Sequence, residues 1–129
     1  MQSMTVYSFG DVVLVQFPFT DQTNKKQRPA VVISSSRYNE ERPDLIIMAI
    51  SSRIRSTPGY GERAVTDWRA AGLLKPSIIK PVVATIEYSI VRKTLGRLSE
   101  NDSNALVQSL DEIIARGRSE ERRVGKECA

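Results

Sequence analysis

The chain of 129 residues contains no histidine. Without imidazole, the serine–histidine pair, histidine acid/base catalysis and most metal-ligand clusters are excluded. Its single cysteine, Cys128, can form neither an internal disulfide nor a metal site alone. No apolar run approaches the roughly 20 residues that a membrane helix needs. No signal peptide is expected ahead of the fold, so the expected location is the cytoplasm. Internal repeats and low-complexity segments are also lacking. Any chemistry is left to arginine, lysine, carboxylates and hydroxyls.

What is present has the balance of one soluble globular domain. Apolar residues make up 40% and charged residues 26%, and the length suffices to bury a core. The final stretch, Arg118-Ser119-Glu120-Glu121-Arg122-Arg123-Val124-Gly125-Lys126-Glu127-Cys128, stands apart. It resembles the translation of a sequencing-library adapter, and residues 118–129 are expected to be an artefactual, disordered tail. The rival reading is a basic nucleic-acid-binding tail, against which stand its mixed charge and lack of aromatics. It carries four basic and three acidic residues, so the whole-chain excess of 19 basic over 15 acidic falls to 15 over 12 without it.

Most of the remaining chain reads as short strands. Val12–Phe17, opened by Gly10-Asp11, is the first. A polar, basic loop follows over Pro18–Lys26 and carries one aromatic, Phe19. Pro29 fixes its own φ and holds Arg28 extended, so a second strand begins abruptly and continues through Val31-Val32-Ile33. Those three are expected to be buried on both faces. Ser36–Pro43 reads as a hydrophilic link, Leu45–Ile50 as a third strand and Glu62–Val65 as a short fourth. Asp67 is expected to cap one helical turn stopped by Gly72. Ser77–Ile86 is a fifth strand with Pro81 at an edge or bulge, and Ile90–Lys93 is a sixth.

The last element differs. Ser99 and Asp102 form a capping box, and Ala105, Leu106, Leu110, Ile113 and Ile114 recur at helical spacing. About six strands followed by one amphipathic helix make a small barrel with a helix packed on it.

If the second and third strands pair antiparallel, the start of one lies beside the end of the other. Arg28 then meets Ser51 and Ser52, with Lys25, Lys26 and Arg53 around them. Such a patch suits a phosphate, whose oxygens match the planar donor fork of arginine. Taken alone, a strand-opening arginine is more often a solvated rim residue, and a Ser-Ser pair more often a strand terminus. Trp68 reads as a core or edge residue. Phe19, flanked by lysines, is open to base stacking.

Five blocks occur in order: Gly10-Asp11-Val12-Val13, Gln27–Ile33, Ala49-Ile50-Ser51-Ser52, Gly72-Leu73-Leu74-Lys75-Pro76-Ser77 and Leu95-Gly96-Arg97-Leu98-Ser99. Together they resemble the MazF/PemK family of toxins from type II toxin–antitoxin modules, on its PemK-like side, over residues 7–115. The resemblance implies a domain over residues 1–117 with an SH3-like barrel and a C-terminal helix. It further implies a homodimer, an antitoxin partner, no cofactor or metal, and sequence-specific cleavage of single-stranded RNA, the activity of an mRNA interferase. By the same resemblance Arg28 and Ser51 are catalytic. Gln27, Ser52, Phe19, Lys25, Lys26, Arg53, Ser77 and Lys80 form the expected RNA-binding set. Two departures stand out. Ser51 replaces the usual threonine, keeping the hydroxyl but losing the methyl that restricts χ1. Some members use a histidine or an acid near the late strand, where this chain has Pro81, so the general base is unassigned. A non-catalytic reading stays open, that of a gyrase-inhibitor-like binder or an inactive relic.

Overall fold

The computed structural model describes residues 6–16, 27–54 and 57–115. Among these residues six strands form one antiparallel sheet: β1 (Asp11–Gln16), β2 (Gln27–Val32), β3 (Asp44–Ser51), β4 (Arg63–Val65), β5 (Ser77–Glu87) and β6 (Val91–Arg97). Their spatial order is β4-β5-β3-β2-β1-β6, and the sheet curls into an open barrel against a C-terminal helix. This is the mainly-β architecture that the alternation and the single helical period imply.

Val31 and Val32 are buried on both faces, as their β-branched composition suggests, whereas Ile33 lies past the end of β2 and is only partly buried. Val31 packs in one cluster with Val12, Met48, Ile50, Ile79 and Leu106. Its neighbours Ala30 and Val32 pack in a second with Val13, Val15, Leu45 and Ile47. One strand thus serves two cores because successive side chains leave opposite faces.

Three local details differ from the sequence reading. The Ser36–Pro43 link contains a short helix, α1 (Ser36–Glu41), whose N-cap Ser35 accepts a hydrogen bond from the Tyr38 amide. It is fixed by tertiary contacts: buried Asn39 accepts from the Ser34 hydroxyl and donates to the carbonyl of Tyr7. The Tyr88 hydroxyl donates to the Asn39 carbonyl, and burial pushes the Tyr88 phenol above its ordinary pKa. The sixth strand runs on to Arg97, past the expected end at Lys93. Around Asp67 the chain forms turns, with Ala71 N–H donating to Asp67 C=O. Asp67 donates its own backbone N–H to Asp102 there.

The C-terminal helix α2 (Glu100–Ile113) starts where the Ser99 cap places it, with Ser99 Oγ accepting from Asp102 N–H. The reciprocal half of the capping box is absent. The Asp102 carboxylate, 2% exposed, instead accepts from the amides of Thr66 (3.0 Å) and Asp67 (2.8 Å). Leu106 is fully buried, with Leu110 and Ile113 packed against the same cluster. Ile114, expected on that apolar face, is the C-cap and is exposed. Pro81 falls inside a register irregularity, since Met48 faces Val83 whereas Ile50 faces Ile79.

Candidate RNA-binding cavity

The ladder between β2 and β3 pairs Val32 with Ile47, Val31 with Met48 and Ala30 with Ala49. Continued two residues further, the same register sets Arg28 opposite Ser51. Pro29 contributes no N–H to a ladder, so the pairing loosens at this end while the strand stays extended. The two residues open onto a cavity of about 670 Å³.

Each wall belongs to a different element. From β2 come Gln27, Arg28 and Pro29; from the end of β3 come Ile50, Ser51, Ser52 and Arg53. Leu14 of β1 supplies floor, with Pro29 and Lys93 as its partners on either side. The far wall is the turn Gly72-Leu73-Leu74-Lys75 with Ser77, set against Lys93, Thr94 and Leu95 of β6.

That far wall is positioned by a close backbone crossing. A Cβ on Gly72, at φ +82°, would lie 2.1 Å from the Leu95 carbonyl oxygen. A Cβ on Gly96 would lie 2.6 Å from the Ala71 carbonyl. Only a pair of glycines lets the turn sit on β6 at this distance.

The electrostatics are one-sided. Among the described residues four cations, Arg28, Arg53, Lys75 and Lys93, line the cavity, and no carboxylate does. Among the described residues the salt bridges are Arg42–Asp44, Arg63–Glu112 and Arg97–Asp11, so none of the four is neutralised by one. Nor does any group of three or more Cys, Asp or Glu among those residues have the placement to hold a metal ion.

The hydroxyls divide by their partners. Ser51 Oγ accepts from the Arg53 N–H at 3.1 Å, which leaves its own O–H free to donate. Ser77, 5% exposed, donates to the Lys75 carbonyl at 2.9 Å, so its proton is committed to holding the turn.

The structure therefore brings Gln27, Arg28, Ser51, Ser52, Arg53 and Ser77 around one cavity. Lys80 does not line it. Lys80 lies three positions after Ser77 on β5, an odd step, and alternation sends the two side chains to opposite faces. Phe19, Lys25 and Lys26 lie outside the described residues, as does the tail 118–129. Trp68 packs against the first core cluster, with the Arg69 guanidinium 4.9 Å from its ring centre. Lys75, Lys93 and Thr94 were not anticipated as cavity residues. Only Lys75 carried a signal, its place inside the Gly72–Ser77 block.

Residues 8–114 match the family described as PemK-like, MazF-like toxin of type II toxin-antitoxin system. The chain belongs to this family. No curated protein matches it in sequence. Among solved structures, it is similar to MazF from Deinococcus radiodurans, at 17% identity and a TM-score of 0.69, over 88% of this chain and 100% of that one. A MazE–MazF structure from the same organism shares 18% identity with a TM-score of 0.67, over 85% and 97%. An endoribonuclease in complex with its cognate antitoxin from a mycobacterial species shares 13% at 0.64, over 84% and 92%. At these identities the likeness establishes the fold.

Proposed function

We propose that the protein is the toxin of a type II toxin–antitoxin pair and acts as a metal-independent endoribonuclease on single-stranded RNA. The observation that carries this reading is the cavity lined, among the described residues, by four cations and no carboxylate. Cations gathered without counter-charge repel one another, and an arrangement of that kind serves a polyanion. Family membership and the structural likeness to named endoribonucleases support it.

The nucleophile is the substrate's own 2′-oxygen. It attacks the adjacent phosphorus, the bond from phosphorus to the 5′-oxygen breaks, and a 2′,3′-cyclic phosphate and a free 5′-hydroxyl result. The 2′-proton leaves to solvent or to a base, and a proton is delivered to the 5′-oxygen. No metal is required, because no water must be activated. Arg28 binds the non-bridging oxygens and offsets the charge that develops on them. A guanidinium with a pKa of about 12.5 or above is a poor proton donor near neutral pH, so electrostatic stabilisation is its role. Ser51 donates its free O–H to the same phosphate and helps hold it in line. Gln27, Ser52 and Arg53 contact the flanking backbone. DNA lacks the 2′-hydroxyl and is not cut.

An antitoxin partner and a homodimer belong to the same reading. Mixing with the acidic product of an adjacent gene should abolish cleavage, and sedimentation measures the assembly. The decisive experiment is Arg28→Ala. The exposed side chain leaves the fold intact, while cleavage falls about 10²-fold or more, the scale of one lost transition-state donor. Full activity of this variant in a clean preparation would remove Arg28 from the mechanism. Products with 5′-phosphates, or loss of cleavage in EDTA, would remove the mechanism itself. That no carboxylate among the described residues lines the cavity favours one rival, a binder that does not cut. RNA bound with Arg28-dependent affinity but left whole after prolonged incubation identifies that case.

A further inference from the structure

Lys75 and Lys93 line the same cavity from elements other than β2 and β3, and nothing in the cleavage step uses them. Lys93 stands opposite Leu14 in the β1–β6 ladder, and Leu14 stands opposite Pro29 on its other side. One strand therefore separates the strand of Lys93 from that of Arg28. Two strand spacings put the two cations about 10 Å apart at the backbone. Lys75 is fixed independently. Pro76 restricts it to extended backbone, Ser77 Oγ holds its carbonyl, and the Gly72–Gly96 crossing presses its turn onto β6. Thr94, next to Lys93, adds a hydroxyl to the same wall. Leu14, Pro29, Leu73 and Leu95 supply apolar floor around these cations.

Two lysines on separate elements thus line one space where, among the described residues, no carboxylate does, and Lys93 stands two strands from Arg28. We propose that Lys75 and Lys93 form a second phosphate subsite, which holds the backbone phosphate adjacent to the one bound by Arg28. The inference rests on the RNA reading above and narrows its substrate. The cavity takes at least two consecutive phosphates, so a trinucleotide is the smallest good ligand and a dinucleotide is not. Binding energy gathered at the second phosphate positions the first one for in-line attack.

The test uses 2′-deoxy oligonucleotides of two and three residues, which bind without being cut. Affinities are measured between 50 and 200 mM salt for the wild type, Lys75→Met, Lys93→Met, the double variant and Arg37→Met. Arg37, on α1 and away from the cavity, is the control. Each single-strand phosphate contact adds about 0.7 to the salt slope, or about 2.6-fold in affinity across this fourfold range. The wild type should show that extra increment for the trinucleotide over the dinucleotide. The double variant should lose it while still binding the dinucleotide, and Arg37→Met should keep it. If the double variant retains the increment, the subsite is refuted and the RNA reading survives. If the wild type binds neither oligonucleotide, the RNA reading itself fails and takes the subsite with it.

Discussion

Asp102 offers the sharpest check on how the cavity is held in shape. Its buried carboxylate accepts from the Thr66 and Asp67 amides at 3.0 and 2.8 Å. It thereby ties the start of α2 to the turn that leads into Gly72–Lys75. Hydrogen bonds to a charged acceptor contribute about 1.5–3 kcal/mol each. Thr66 and Asp67 are themselves exposed, so water recovers part of that loss when the carboxylate is removed. Asp102→Ala should therefore cost about 2–4 kcal/mol, a large share of the roughly 5–15 kcal/mol of an ordinary domain. At about 2.1 cal/mol/K per residue over roughly 110 residues, that is a fall in Tm of about 9–17 °C.

Thermal unfolding followed by circular dichroism, with urea titration for the m-value, reads the change. Asp102→Asn should recover no more than half, because its amide sets an NH2 group against one of the two donors. Ser99→Ala, which removes only the cap on the Asp102 amide, should cost about 1 kcal/mol. Hydrogen exchange adds a local readout, since the Ala71, Gly72 and Leu73 amides close the turn and should open faster in Asp102→Ala. A Tm loss below about 3 °C at unchanged m-value, with protection in the turn intact, would show that α2 does not anchor the cavity wall.

Other outcomes follow from single contacts. Gly72→Ala adds the strain of an alanine at φ +82° to a Cβ placed 2.1 Å from the Leu95 carbonyl. The conformational term alone is about 1–2 kcal/mol, so the total should exceed 2 kcal/mol in urea titration, and a cost below 1 kcal/mol would mean that the turn does not need this crossing. Tyr88 has a folded pKa raised above 10.0 by burial. Its contribution is complete below the unfolded pKa and lost as pH rises through the folded value, so stability should fall above about pH 10. Tyr88→Phe should flatten that part of the profile; an unchanged profile would assign the loss to other groups.

The sequence made the sheet legible where composition and local geometry agreed. The β-branched run Val31-Val32 implies burial on both faces, while β2 already pairs with β1 at Gln27 and Arg28, ahead of the start expected at Pro29. The helix over Glu100–Ile113 was readable from its cap and its period. By contrast α1 carries no apolar stripe; its one buried residue is Asn39, an amide whose partners at Tyr7, Ser34 and Tyr88 are set by tertiary structure. The Ser99/Asp102 spacing matched a capping box, yet the carboxylate turns outward from the helix to serve Thr66 and Asp67. Local pattern identified the helix start, and a contact 35 residues away decided what the side chain does. The extension of β6 to Arg97 has the same origin, since Gly96 earns no strand preference by itself and is placed by Ala71 across the crossing.

The cavity was legible for the same reason that it was incomplete. Arg28 and Ser51 sit at the ends away from the link of two strands joined by a short connection, so an antiparallel pairing suffices to bring them together. Lys80 was grouped with Ser77 by proximity in sequence, although an odd separation on a strand argues against their sharing a face. Lys93 had no local sign at all, because its place depends on β6 pairing with β1, a strand 79 positions earlier by the Leu14–Lys93 register. The two kinds of cation also differ in what supports them. Arg28 is held by a proline on its own strand, a device contained within two residues. Lys75 and Lys93 are held by a glycine crossing and a buried carboxylate that link the turn, β6 and α2. A change far from Arg28 can therefore displace the lysine wall while leaving the arginine in place, and loss of Asp102 should weaken binding of longer oligonucleotides before it affects Arg28-dependent contact with a single phosphate.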